Sequence, residues 1–251
     1  MHFMRRSRSL MLALAGTVVI ALSAAAQQAW DGKIVRYGTM REAIGQQQSQ
    51  GRVLLSDMAG QSHFYGVAAL EGLAGEVTFF DSSPTITGVS GDGKLAPVTG
   101  EKLQATMLAG ARVPSWREHA IEKDTPAAEF DQRVRGAAAQ AGVDVSKPFV
   151  FALEGEFSDV RLHVIHGACP MHARMQQIEL PKEKQPFEGE YRSIRGKVVG
   201  IYAEDAVGTL THPATSTHVH LIFKDAASGE MVTGHVERMA LVKGASIRLP
   251  Q

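Results

Sequence analysis

The stretch Thr217-His218-Val219-His220-Leu221-Ile222-Phe223 combines β-branched and aromatic residues with two histidines that lie two positions apart. Side chains alternate between the two faces of a β-strand, so a His-x-His pair in a strand presents two imidazoles on one face. The polar segment from Lys224 to Glu230 contains Ser228-Gly229, which is typical of a turn, and Thr233-Gly234-His235-Val236 follows. The pattern predicts a β-hairpin that brings a third histidine, His235, beside the pair.

Three neutral imidazoles with an open fourth position are typical of a catalytic zinc site or a site for a related divalent metal. Structural zinc sites usually close with thiolates instead. We therefore predict that His218, His220 and His235 bind Zn²⁺ or another divalent metal. The simpler interpretation, in which they are hydrogen-bonded strand residues without a metal, stays open at this point.

Composition is that of an ordinary globular protein with a sizeable core. The chain has 251 residues, of which 44% are hydrophobic and 21% charged. Basic and acidic residues both number 26, so no basic surplus is available to bind nucleic acid, and we expect no nucleic-acid partner. The single cysteine, Cys169, excludes an internal disulfide.

The N-terminal residues have the pattern of a secretory signal peptide. Three arginines precede an apolar run from Leu10 to Leu22, and the small residues Ser23 to Ala26 resemble a cleavage site. We predict a signal peptide over residues 1–26 and a periplasmic or secreted protein, with an uncleaved membrane anchor as the alternative. Cleavage would leave 23 basic and 26 acidic residues, a net charge of −3.

The rest of the chain predicts an α/β fold class with antiparallel or mixed sheets and few helices. Thr39 to Glu42 resembles a capping box at a short helix, and helical spacing of apolar residues lies between Asp124 and Gly142. Too few helical crossovers are predicted for a wholly parallel sheet. We expect an N-terminal mixed-sheet part over residues 27–145 and a C-terminal metal-binding β-rich part over residues 146–251. Short β-prone runs are predicted at residues 64–70, 76–80, 85–89, 149–157, 162–165, 197–202, 218–223, 232–236 and 245–249.

Several segments, in order, resemble the alpha-acetolactate decarboxylase family from about residue 35 to residue 250. Family members have a Gly-Thr-Ile-Val-Gly-Phe strand, then His-Leu-His-Phe-Ile, then Gly-Gly-His-Val. Earlier in the chain they have Leu-Asp-Gly-Glu and Phe-Tyr-Ala-x-x-x-Gly-x-Phe. The corresponding segments here are Gly196–Tyr202, His218–Asp225, Gly234–Val236, Leu73–Val77 and Phe149–Phe157, with weaker matches at Thr39-Met40 and Phe64–Ala68.

The resemblance implies a two-domain acetolactate-decarboxylase-like fold and the decarboxylation of 2-acetolactate to acetoin. The zinc ligands of the family would be His218, His220 and His235, and its glutamate would be Glu76. The metal would stabilise an enediolate as a Lewis acid. Glu76 could deliver the proton, although a solvated strand carboxylate is the simpler interpretation of that residue. The expected partner is a small 2-hydroxy-3-keto acid. We expect no membrane contact after signal cleavage, and a homodimer is one open alternative for the oligomeric state.

The sequence departs from the family pattern at three places. A family arginine aligns with His163, while Arg161 lies two positions earlier on the same strand face, and we expect either residue to take the cationic role. The connection from His220 to His235 is a few residues longer than in the family, which predicts altered geometry at His235. Family members continue past Leu-Arg-Leu-Pro into a tail with a functional glutamate, whereas this sequence stops at Gln251.

A second function is suggested by the segment from His163 to His172, which contains three histidines, Cys169 and Met171. Imidazole, thiol and thioether groups suit copper, and Cu(I) in particular. The alternative is therefore an exported copper-handling protein on the same fold without decarboxylase activity. In the simpler interpretation, Cys169 and Met171 fill the core and the histidines lie on a loop. A plain interaction domain without a metal is the third class.

Overall fold

The computed structural model describes residues 29–212 and 215–251, which form two antiparallel sheets and a few short helices. The predicted signal peptide lies outside these residues. Within the described ranges, none of the helices has the length and apolar character needed to cross a bilayer. The predicted fold class, with antiparallel sheets and few helices, is confirmed.

The first sheet has the strand order β1-β7-β3-β4-β5-β6, and β2 pairs with β7. Its centre is β3, in which every residue is buried. The β4–β5 hairpin turns through Asp81 and Ser82, which have φ values of 49° and 67°, as a two-residue turn between right-twisted strands requires. The strands are β1 (Val35–Tyr37), β2 (Val53–Leu54), β3 (Phe64–Leu70), β4 (Glu76–Phe80), β5 (Ser83–Val89), β6 (Leu95–Pro97) and β7 (Gln104–Arg112).

The second sheet has the order β10-β11-β12-β9-β13-β8, and β9 also pairs with β10, so β9 to β12 form a closed ring. Closure leaves these four strands few unpaired edges and fixes their mutual register. The two runs predicted at residues 149–157 and 162–165 form one strand, β9. The strands are β8 (Trp116–Ala120), β9 (Phe149–Val164), β10 (Phe187–Tyr202), β11 (Thr217–Lys224), β12 (Met231–Leu241) and β13 (Ser246–Pro250).

The helices are α1 (Leu55–Ala59), α2 (Phe130–Gln140) and α3 (Pro170–Gln176). Helix α2 is the helix predicted between Asp124 and Gly142, and it buries Phe130 and Val134 in the core of the second sheet. Half of the predicted capping box is present at the turn Arg41–Gly45, where Thr39 Oγ1 accepts from the Glu42 amide at 3.1 Å and the Thr39 hydroxyl donates to the Glu42 carboxylate at 2.9 Å. Shorter helical turns cover Glu71–Leu73, Ala127–Glu129 and Lys182–Lys184.

The two sheets pack against each other through a shared apolar cluster. Tyr65 and Val67 of β3 meet Val150 of β9 and Val199 and Ile201 of β10 in this cluster. The contact places β4 of the first sheet beside the histidine-bearing hairpin of the second. The chain passes from one sheet to the other between β7 and β8. The predicted division into an N-terminal and a C-terminal part between residues 145 and 146 stays a prediction.

Candidate metal centre

His218, His220 and His235 come together at the β11–β12 hairpin. The two strands pair antiparallel with His220 directly opposite His235, so the longer connection does not move His235 away. Asp225 closes the turn, because its carboxylate accepts from the Ser228 amide at 2.9 Å. All three imidazoles are buried, and one ligand nitrogen of each lies within 4.8 Å of the others.

Burial keeps the cluster in the neutral form that binds metals. Loss of solvation lowers the pKa of His220 to about 3, and the pKa values of His218 and His235 fall well below their ordinary value. Repulsion among neighbouring imidazoles acts in the same direction. A neutral imidazole has one nitrogen lone pair to offer, so the cluster is ready to accept a cation without first releasing protons.

The ring of His220 has one occupied nitrogen and one free nitrogen. Nδ1 lies 3.1 Å from the carbonyl oxygen of Val77 and 3.2 Å from the hydroxyl of Thr78, both on β4. Nε2 is buried and has no hydrogen-bond partner among the described residues. Buried polar atoms in proteins are nearly always paired, so this nitrogen indicates a missing partner. A divalent cation held by His218, His220 and His235 fits the donor set and this unpaired atom.

Glu76 approaches the cluster from the first sheet. Its Oε2 lies 3.6 Å from Nε2 of His220, and the residue is only 2% exposed. Burial raises the pKa of Glu76 to about 8, against the opposing effect of a hydrogen bond from the Ile165 amide. Glu76 is therefore a buried carboxyl beside the imidazoles and not a solvated strand residue.

His163 and Arg161 occupy different positions relative to the cluster. His163 pairs in register with His235, and their ring centroids are 4.9 Å apart. Its Nδ1 lies 2.7 Å from Oε1 of Glu237, whose other oxygen is 3.2 Å from Nε of Arg161. Arg174 of α3 binds the same carboxylate at 2.5 Å. Thus His163 faces the imidazoles, whereas Arg161 contacts the carboxylate behind it.

Glu237 is a site residue that the sequence analysis did not single out. Burial acts to raise its pKa, but the bonds from His163 and Arg174 outweigh that effect and lower the pKa to about 2. The carboxylate is therefore ionised and holds His163 in place. Its position two residues after His235 was an available signal for the same strand face, but β12 shifts register between Val236 and Arg238, which alternation alone does not predict.

His212 is a fifth buried imidazole, after the three cluster histidines and His163, and the sequence analysis also missed it. Its ring centroid lies 4.7 Å from that of His235 and 5.9 Å from that of His218. Burial lowers its pKa to about 4. The residue lines a cavity of about 210 Å³ together with His235, and a second of about 180 Å³ together with Cys169. A single histidine in a loop carries no periodic signal, so only the structure reveals it.

The Cys169 segment does not form a comparable centre. Among the described histidine, cysteine, aspartate and glutamate side chains, the only group of three or more placed for one metal is His218, His220 and His235. Cys169 is buried at the start of α3, and burial raises the pKa of its thiol to about 11. This thiol is not a ready thiolate ligand for copper.

The comparisons with known proteins give the family and the fold. The family described as alpha-acetolactate decarboxylase matches residues 34–250. Alpha-acetolactate decarboxylase from Bacillus subtilis strain 168 superimposes with a TM-score of 0.64 at 16% identity, covering 87% of this chain and 85% of that one. A Staphylococcus aureus protein of unknown function similar to alpha-acetolactate decarboxylase gives 0.63 at 14% identity, covering 87% and 85%.

The enzyme from Bacillus subtilis subspecies spizizenii gives a TM-score of 0.63 at 17% identity, covering 87% of this chain and 86% of that one. At such identities the structural likeness establishes the fold. No curated protein sequence matches the chain. Since the family match extends over most of the sequence, the chain belongs to the alpha-acetolactate decarboxylase family.

Proposed function

We propose that this protein is a metal-dependent decarboxylase that converts 2-acetolactate, a 2-hydroxy-3-keto acid, to acetoin. The observation that carries the proposal is the buried set of three imidazoles, one of which has an unpaired Nε2 beside a buried carboxyl. In a purely structural role, burying that unpaired nitrogen and the Glu76 carboxyl would cost free energy of folding with no compensating interaction. Family membership supports a carboxy-lyase.

His218, His220 and His235 would hold the divalent metal, with zinc as the proposed ion. When bound, the metal supplies a Lewis acid that stabilises the negative charge left on oxygen after carbon dioxide departs. The three imidazoles are neutral and buried, so they offer lone pairs in a site from which water is largely excluded. That exclusion strengthens every electrostatic interaction inside the site.

Glu76 is the proposed proton donor. Breaking the bond to the carboxylate releases carbon dioxide and leaves an electron pair on the neighbouring carbon, which must then receive a proton. In the metal-free protein the pKa of about 8 means that the Glu76 carboxyl holds a proton at neutral pH. Its Oε2 lies 3.6 Å from His220, so it can reach a substrate next to the imidazoles.

His163 is the proposed substrate-facing partner on the opposite strand. Glu237 holds the ring through Nδ1 at 2.7 Å, which leaves Nε2 available toward the site. Arg161 and Arg174 bind the same carboxylate and thereby keep it in position. In this proposal Arg161 acts through Glu237, and His163 occupies the place where the family has an arginine.

The test is acetoin formation from racemic 2-acetolactate by residues 27–251 loaded with zinc. His218→Ala should abolish both stoichiometric zinc binding and turnover, and Glu76→Gln should retain zinc while losing turnover. His63→Ala is the matched control, because His63 lies on the surface, away from the cluster, in a hydrogen bond with Asp81. Zinc-loaded protein without any turnover would show that the metal site is kept while the reaction differs.

We also propose that the protein is exported, on the strength of the pattern in residues 1–26. Expression of the full chain followed by cell fractionation and N-terminal sequencing tests this. A processed N-terminus at residue 27 in the periplasm or medium is the expected result. An unprocessed chain in the membrane fraction would favour the anchor.

A further inference from the structure

A buried chain of hydroxyl groups connects His220 to both sheets. Thr78 Oγ1, on β4, lies 3.2 Å from Nδ1 of His220 and 2.6 Å from Oγ1 of Thr233, on β12. Thr233 Oγ1 lies 3.1 Å from the carbonyl oxygen of Leu221, on β11. Both threonines are fully buried, so these bonds have no competition from solvent.

The direction of every bond in this chain follows from its last acceptor. The Leu221 carbonyl can only accept, so the Thr233 hydroxyl donates its single proton there. Thr233 Oγ1 must then accept from the Thr78 hydroxyl, which uses the only proton of Thr78. Consequently, Thr78 Oγ1 accepts from Nδ1–H of His220. The Val77 carbonyl at 3.1 Å can also only accept, so the single Nδ1 proton is shared between this carbonyl and Thr78 Oγ1.

We infer that Thr78 and Thr233 are positioning residues that orient the His220 ring and hold it in the Nδ1–H tautomer. This leaves the lone pair of Nε2 directed at the candidate metal position. The inference rests on the metal site of the proposed function and extends it to the first sheet. We call the hydrogen-bonded hydroxyls of Thr78 and Thr233 the relay. A third threonine holds it in place, because Thr87 Oγ1 on β5 accepts from the backbone amide of Thr233 at 2.8 Å.

The first test needs no metal and no substrate. Long-range proton–nitrogen correlation spectra of the ¹⁵N-histidine-labelled, metal-free protein at neutral pH should show His220 protonated at Nδ1 and bare at Nε2. The His220→Gln variant assigns the signal by its disappearance. Protonation at Nε2 would overturn the inference, and it would do so whether or not the protein decarboxylates acetolactate.

The second test is zinc affinity, measured by chelator competition. Loss of an outer-shell partner typically costs about 10- to 100-fold in metal affinity. The Val77 carbonyl still accepts from Nδ1 in Thr78→Val, so this variant should weaken zinc binding by about 10-fold. Thr78→Ser keeps the hydroxyl and should restore affinity to near the wild-type value. Thr233→Val removes a group one bond further away and should cause a smaller loss.

Thr106→Val is the matched control, because Thr106 is equally buried in the first sheet and donates to the Gln48 carbonyl, away from the histidines. It should leave zinc affinity unchanged. Equal affinities of Thr78→Val and wild type would refute the relay. If Thr78→Val fails to fold, Thr78→Ala takes its place, and a zinc affinity equal to that of wild type would refute the relay. A wild type that binds no zinc would refute the proposed function, while the tautomer would still test the relay.

Discussion

Acidification should destabilise the metal-free protein, and His212 allows the size of the effect to be worked out. Burial lowers its pKa from 6.5 to about 4 in the folded state. Between these two values the unfolded chain binds the proton and the folded protein does not, so stability falls as the pH falls. Lowering the pH from 7 to 5 should therefore remove about 2 kcal/mol through this residue alone.

His220 adds to this effect, because its pKa falls to about 3 in the folded protein. If the two residues titrate independently, the loss at pH 5 reaches roughly 4 kcal/mol, a large part of the roughly 5–15 kcal/mol that stabilises a typical domain. His218 and His235 shift in the same direction. Glu76 acts in the opposite direction, because its pKa of about 8 lets the folded protein hold a proton between pH 7 and 5 that the unfolded chain largely does not bind. We therefore expect acidification to destabilise the metal-free protein by less than the sum of the histidine contributions.

The assay is urea unfolding in EDTA at pH 7, 6 and 5, followed by circular dichroism. His212→Gln should reduce the pH dependence by about 2 kcal/mol between pH 7 and 5, since glutamine does not titrate. His63→Gln, at an exposed position away from the cluster, shows at pH 7 whether a histidine-to-glutamine substitution as such changes stability. If wild type and His212→Gln lose the same stability on acidification, the reasoning about the buried neutral imidazole is refuted.

Three further predictions concern metal binding, the thiol and the packing. Zinc should raise the unfolding temperature of wild type but not of His235→Ala, and free zinc at 100 times the dissociation constant should add about 2.7 kcal/mol of stability. Cys169 should react slowly with iodoacetamide at pH 8 and rapidly in urea, because burial raises the pKa of its thiol to about 11. Mass spectrometry measures both rates, and fast labelling of the native protein would contradict the burial. Gly200→Ala should cost about 1–3 kcal/mol in urea unfolding, because the added methyl group would overlap the buried ring of Phe151. Gly136→Ala, on an open face of α2, should cost nothing, and equal effects would exclude the overlap as the cause.

Elements with a strong local pattern were predicted well. The strands at Phe64–Leu70 and Glu76–Phe80 and helix α2 agree with the predicted runs. By contrast, β7 (Gln104–Arg112) was not predicted, because its alanine, methionine and leucine residues favour a helix. Pairing with β1 and β3 on its two edges makes it a strand, which is a tertiary effect that local propensity does not report.

Within the site, the three candidate ligands follow from the sequence alone. Strand alternation puts His218 and His220 on one face, and a short turn brings His235 opposite, so only neighbouring residues are involved. Glu76 came from the family resemblance and not from any periodicity. Its burial and the resulting change in pKa became visible only in the structure.

What the sequence determined by itself is the hairpin and its three imidazoles, because strand periodicity and turn formation act over a few residues. Only the tertiary structure decided what surrounds them. Thr78 lies 142 positions before His220, and their contact depends on how two whole sheets pack. The position of His163 beside the imidazoles, the position of Arg161 behind Glu237 and the approach of His212 likewise depend on register and loop path. Register and loop path depend on the packing of residues that are far apart in the sequence, so no local pattern predicts them.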